Sequence, residues 1–307
     1  MSRIHEALKK AAQERSAQLG DRPETDLVDL ATQTASLPGY AGQREEARPR
    51  PALTTAEIAQ RATFATFAKR CARPAWNTEF RLDPFAGSND QRVVVERFRT
   101  LRSRLYQIAA AQPLRSLLIT SSLPMEGKTF IAANLAQSFV RQTDRRVLLI
   151  DADLRAPRLH LTLGAPEGLG LADYLDGDAD EFQILQIGPE GSLCFIPGGK
   201  RTADPSGLLQ SDRMKQLIER MSQAFDWVII DSPPTLAVHD ASVLADMCDG
   251  VLFVVRAGST DFEVAEKATA EFREKSLLGV VLNRVDKNET YGAYPYGYTD
   301  EREAGEK

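Results

Sequence analysis

Apolar and polar positions change their period several times along this chain. In residues 2–16, SRIHEALKKAAQERS, the apolar positions Ile4, Ala7, Leu8, Ala11 and Ala12 recur at helical spacing behind Ser2 as a helix cap. The spacing predicts an amphipathic helix over residues 1–18. At that length it is marginal alone in water, so it is expected to dock on a partner or on the body of the protein. Residues 19–90 lose the period, except for a predicted transient helix at 55–68, and carry six of the 16 prolines. They read as a flexible linker, because so long a stretch without elements does not fit inside a compact domain. From residue 91 the pattern sharpens. Val94, Phe98, Leu101, Leu105 and Ile108 form one stripe of a helix. Short apolar runs follow at 116–120, 147–150, 193–196, 227–230, 251–255 and 279–282, separated by amphipathic segments such as 129–142, 206–224 and 262–275. Nearly continuous apolar strands alternating with helices predict an α/β fold over residues 91–290, with a mostly parallel, buried sheet and helices on both faces. Residues 291–307 remain as a tail.

Composition narrows the class. A chain of 307 residues, 43% hydrophobic and 26% charged, is ordinary globular material, which excludes collagen, coiled-coil rods and wholly disordered chains. No apolar stretch approaches the ~20 residues of a membrane span, and MSRIHEALKK has no apolar core of a secretory signal. Three scattered cysteines, Cys71, Cys194 and Cys248, form neither a disulfide framework nor a metal pair, and point to a reducing, cytoplasmic setting. The net charge of −5 is unevenly spread: residues 1–110 balance at +5 and residues 111–307 at −10. A basic front half could favour an anionic surface, lipid or nucleic acid, but a solvated linker with stray arginines is the favoured reading, and no nucleic-acid partner is expected.

The chemistry begins where the first strand runs into Ser121-Ser122-Leu123-Pro124-Met125-Glu126-Gly127-Lys128-Thr129. Gly-Lys-Thr between a strand and a helix is the core of a phosphate-binding loop, in which backbone N–H groups and a helix start cradle polyphosphate. Lys128 would reach the terminal phosphates and Thr129 would ligate Mg²⁺. Ser122 stands where the strict pattern has its first glycine. Two further strands end in carboxylates, Asp151 with Asp153 and Asp231, at the edge where open α/β sheets bind ligands. Carboxylates there can hold Mg²⁺ or take a proton from an attacking hydroxyl.

These motifs resemble the bacterial tyrosine kinases (BY-kinases), specifically the cytoplasmic kinases of capsule and exopolysaccharide synthesis. Residues 121–129 are similar to that family's Walker A loop, VLLIDADLRAP at 147–157 to its Walker A′ and VIIDSPP at 228–234 to its Walker B. Glu96, Arg99 and Arg102 fit its ExxRxxR oligomerisation motif, and residues 204–209 resemble its Asn-Pro-x-Glu-Leu-Leu helix start. Met125, Asp204 and Gly207 depart from the family pattern. The resemblance implies a P-loop NTPase-like fold and ATP with Mg²⁺ as cofactors. Nucleotide contacts would come from Ser122, Pro124, Glu126, Gly127, Lys128, Thr129 and Phe130, with Asn283 a candidate base contact or a turn residue. It implies Asp151, Asp153 and Lys128 as catalytic groups and Thr129, Asp151 and Asp231 at the metal, without deciding which aspartate is the base.

Near the end of the sequence, Tyr291, Tyr294, Tyr296 and Tyr298 fall within eight residues among Gly, Ala and Pro. Such a segment has little to bury and is expected to be exposed. In the resembled family a cluster of this kind is the autophosphorylation substrate, reached in trans within a homo-oligomer, a ring being the simplest. The implied partners are a separate membrane activator of the polysaccharide co-polymerase kind, which would recruit the chain to the inner face of the membrane, and a phosphotyrosine phosphatase. Two rivals are a positioning ATPase of the deviant-Walker class and a non-catalytic nucleotide-binding adaptor of polymer export. The first carries a signature lysine early in the loop, where this chain has Leu123.

Overall fold

The computed structural model describes residues 55–77, 89–142, 144–274 and 276–285. The expected helix at 1–18 and the tyrosine cluster lie outside the described residues. Seven strands form one sheet in the order β3-β4-β2-β5-β1-β6-β7. They are β1 Ser116–Ser121, β2 Val147–Asp151, β3 Gln186–Ile187, β4 Leu193–Ile196, β5 Trp227–Asp231, β6 Gly250–Arg256 and β7 Leu277–Asn283. All neighbours run parallel except β3, which pairs antiparallel with β4. β3 is too short to have left a period in the sequence.

The central strands are apolar on both sides because both faces are covered. Leu118, Leu148, Ile150, Val228, Ile230 and Phe253 face one hydrophobic core. Leu117, Ile119, Leu149, Ile229, Leu252 and Val254 face the other, under helix α2 (Asn89–Ala111) and helix α3 (Lys128–Val140). Phe98 and Leu105 of α2 are buried there, and Tyr106 meets Phe139 edge-on at 5.4 Å.

Two expectations change. The amphipathic segment 206–224 is two helices. Asp204 caps Pro205–Leu209 by accepting from Gly207 N, and Ser211 caps Asp212–Ala224 by accepting from Met214 N. Asp204 thus does what an asparagine does at a helix cap. In the second helix Met214, Leu217, Ile218 and Met221 are buried at helical spacing.

The linker expected through residue 90 is corrected in part, because residues 63–77 belong to the body. Helix α1 (Thr55–Arg70) inserts Phe67, which lies 5.2 Å from the Phe182 ring and 6.3 Å from Phe225. The chain then runs along the β3 edge. Ile187 N donates to Ala72 O at 2.8 Å, and Trp76 packs edge-on against Phe195. Phe64, Phe67 and Ala68 recur at helical spacing and pack on one core, so the helix expected at 55–68 is a docked element rather than a transient one, and Trp76 reaches the other core.

Candidate functional site

β1 leads into the loop 122–127 and then α3. The turn needs left-handed backbone at Met125 (φ 65°) and Gly127 (φ 97°). A Cβ at position 127 would lie 2.1 Å from Asn283 Nδ2, so both conformation and close approach demand glycine there. Met125 takes the same region without that freedom, and its side chain is 77% exposed. No side chain caps α3, so its first-turn N–H groups remain available to an anion.

The loop is braced from behind. The Glu126 carboxylate is turned inward and buried. It accepts from Leu123 N at 2.7 Å, from the Thr260 hydroxyl and from Arg256 N. Asn283 Nδ2 donates to the Glu126 carbonyl at 2.8 Å, so this amide holds the loop that leads to Gly127. Phe130 sits behind the loop with its ring 6.0 Å from Phe98, and Pro124 remains on the loop itself.

Beside the loop stand the carboxylates. Asp151 and Asp231 are cross-strand partners at the ends of β2 and β5, and both are fully buried. Asp151 accepts from Leu159 N at 2.9 Å and from Asp153 N at 3.3 Å. Burial, and then the Asp231 charge, push its carboxyl well above the usual range. Asp231 is pushed up to about 6 by burial, while Lys128 and a hydrogen bond from Thr129 pull it down. Asp153 Oδ2 meets Lys128 Nζ at 3.1 Å, and its Oδ1 accepts from Ala156 N. Burial works to lower the Lys128 ammonium, but Asp231, Asp153 and Asp151 outweigh it and raise it above its ordinary value.

Three buried oxygens at this edge lack hydrogen-bond partners: Ser122 Oγ, Asp231 Oδ1 and Thr235 Oγ1. Orphaned acceptors around an ammonium and a helix start without a side-chain cap fit a site shaped for polyphosphate and a hard cation. Mg²⁺ retains waters and takes only one or two protein carboxylates, so Thr129 and Asp231 make a sufficient donor set.

The structure brings Lys128, Thr129, Asp151, Asp153 and Asp231 together, and does not do the same for Glu96, Arg99 and Arg102. Glu96 and Arg99 pair with each other on the exposed side of α2. Arg102 turns inward and donates to the Ser138 carbonyl of α3, so it ties two helices of one chain. Sequence reading also missed a lock behind the aspartate loop. Arg155 Nε donates to Asp240 Oδ2 at 2.9 Å, and Ser206 Oγ donates to Asp240 Oδ1 at 2.6 Å. Asp240 is buried 85 residues away along the chain, and nothing in its local sequence announces the pair.

A parallel sheet with a phosphate loop after β1 and carboxylates at the ends of β5 beside it and β2 beyond defines a nucleotide-binding P-loop protein. Comparison with known proteins agrees. Residues 125–303 match the family described as the CobQ/CobB/MinD/ParA nucleotide binding domain. The chain is 37% identical over 203 residues to the tyrosine-protein kinase YwqD of Bacillus subtilis, covering 65% of this chain and 85% of that one. It is 34% identical over 219 residues to the tyrosine-protein kinase wzc of Salmonella typhimurium, covering 69% of this chain but only 30% of that longer protein. The kinase domain of the Escherichia coli tyrosine kinase ETK superposes with a TM-score of 0.61 at 35% identity, over 66% of this chain and 80% of that one. The chain belongs to the bacterial tyrosine-protein kinases built on this nucleotide-binding domain. Among the described residues no helix is long and apolar enough to cross a membrane.

Proposed function

We propose that this chain transfers the γ-phosphoryl group of ATP to its own tyrosines Tyr291, Tyr294, Tyr296 and Tyr298, and that this modification regulates capsule or exopolysaccharide synthesis. One observation carries the reading: Lys128 and three carboxylates converge on a braced phosphate loop, with Asp231 left one orphaned oxygen. The loop amides and Lys128 hold the phosphates, since the ammonium stays charged against its three neighbours. Thr129 and Asp231, with Asp151 beside them, are the groups that would hold Mg²⁺, which supplies charge neutralisation at the transferring phosphoryl group.

The acceptor is a tyrosine hydroxyl of ordinary pKa about 10, so a base must take its proton as the O–P bond forms. Asp153 has the reach for this. It keeps slight exposure on a loop that borders an open cleft, whereas Asp151 is wholly buried with both oxygens accepting backbone amides. Glu96 and Arg99 remain outward and available to a second copy, which supports a homo-oligomer in which tails are modified in trans. A membrane activator and a phosphotyrosine phosphatase complete the cycle, by the family resemblance. Each phosphotyrosine adds roughly −1.5 to −2 charge, and several on one tail beside Asp300, Glu301 and Glu303 favour dispersal of such an assembly.

The test is incubation with Mg-ATP followed by mass spectrometry. Phosphate is expected within residues 291–298, absent from Lys128→Ala and from the variant with all four tyrosines replaced by Phe. Undiminished labelling of either variant would overturn the assignment.

A further inference from the structure

Next to the catalytic loop lies a cleft of about 690 Å³, walled by residues 155–160 on one side and 197–201 on the other. It adjoins the aspartates directly. Ala156, which lines it, donates its N–H to Asp153. Across the cleft, a Cβ added to Gly198 would lie 2.6 Å from Pro157 Cβ and 3.8 Å from the Asp151 carbonyl oxygen.

The charges lining this cleft are unequally committed. Arg155 is held by Asp240 and Ser206. Lys200 is held by Asp176 and Asp178. His160 meets Glu167. Arg158 and Arg201 are exposed, line the same cleft, and have no ion-pair partner among the described residues. Two unneutralised guanidiniums facing one concavity constitute a site for paired carboxylates, since the planar fork suits that geometry.

The chain carries a matching anion. Directly after Tyr298 comes Thr299-Asp300-Glu301-Arg302-Glu303. An extended chain advances ~3.3–3.6 Å per residue, so the carboxylates two to five residues past Tyr298 lie roughly 7–18 Å beyond it. Arg158 follows Asp153 on the same loop, with Ala156 between them both bonded to Asp153 and lining the cleft. Resting on the kinase reading above, we propose that Arg158 and Arg201 form a docking site for the acidic flank Asp300–Glu303. Docking there would steer the tyrosine cluster toward Asp153. The two arginines are thus positioning residues for the acceptor segment and take no part in the chemistry.

The experiment uses the full chain and a fluorescein-labelled peptide of residues 288–307, with fluorescence anisotropy in the presence of Mg-ADP. Two exposed pairs predict about two- to thirtyfold weaker binding for R158A/R201A. The same loss is expected when Asp300, Glu301 and Glu303 of the peptide become Asn, Gln and Gln. R158K/R201K should keep most of the affinity, and added salt should weaken wild-type binding. Nucleotide affinity and melting temperature report whether the variants are folded. Wild-type binding that is absent, or equal binding by R158A/R201A or by the neutralised peptide, would overturn the proposal. Phosphate transfer to the peptide from Mg-ATP is recorded separately. Charge-dependent binding without transfer leaves the docking site standing and removes the kinase reading. Transfer with a KM unaffected by either arginine removes the docking site alone.

Discussion

Asp231 is a charge that folding alone would not retain. It is fully buried, one oxygen has no partner, and it faces Asp151 across adjacent strands. Its carboxyl is raised from 3.8 to about 6. A shift of that size corresponds to about 3 kcal/mol of destabilisation of the ligand-free fold at neutral pH. Asp231→Asn keeps the shape, still accepts from Thr129, and can donate to Asp151. It gives up attraction to Lys128, which retains Asp153 at 3.1 Å. The net expectation is a gain of about 2 kcal/mol at pH 7, or a melting temperature higher by roughly 4–8 °C for a body of this size. The pH dependence has a definite sign. Between about pH 4 and 6 the unfolded chain has lost this proton while the folded chain keeps it, so wild-type stability falls as pH rises through that window. The advantage of the variant should therefore vanish near pH 4 and be complete above about pH 7. Thermal melts of both proteins from pH 4 to 8, without nucleotide and then with Mg-ADP, make the test. The variant should be stabilised far less by Mg-ADP and should lose labelling. A variant that melts at or below the wild-type temperature at pH 7 while still folded would refute the reasoning that this carboxylate is strained in the empty site.

Phe67→Ala should cost about 3 kcal/mol in chemical denaturation, since the ring is 5% exposed among Phe182 and Phe225. A loss under about 0.5 kcal/mol would return residues 63–77 to the linker. Asn283→Ala removes the 2.8 Å bond to the Glu126 carbonyl, and should weaken Mg-ATP binding about three- to tenfold with little change in melting; unchanged affinity in calorimetry would deny the brace. Arg102→Met should destabilise the single chain by about 1 kcal/mol through the lost bond to Ser138, whereas Arg99→Ala stays within about 0.5 kcal/mol. Light scattering on both variants separates the two roles, because only Arg99 is outward enough to alter association.

Six of the seven strands, the phosphate loop and the aspartates were legible before folding, because those signals are local. A parallel strand buried on both faces must be apolar throughout. A phosphate loop needs Gly127, Lys128 and Thr129 in succession, and carboxylates that serve a ligand must follow strand ends. Tertiary structure alone decided what touches what across long separations. It made the Glu126 carboxylate a strut behind the loop, drew Asn283 onto the loop, and paired Arg155 with an aspartate 85 residues away. It brought Phe67 and Trp76 out of an expected linker into two cores, and turned Arg102 inward onto Ser138. The motifs and periods that contain some of these residues do not name the partners they meet. Each follows from packing one surface against another, where the energy depends on the shape and polarity of a neighbour distant in the chain.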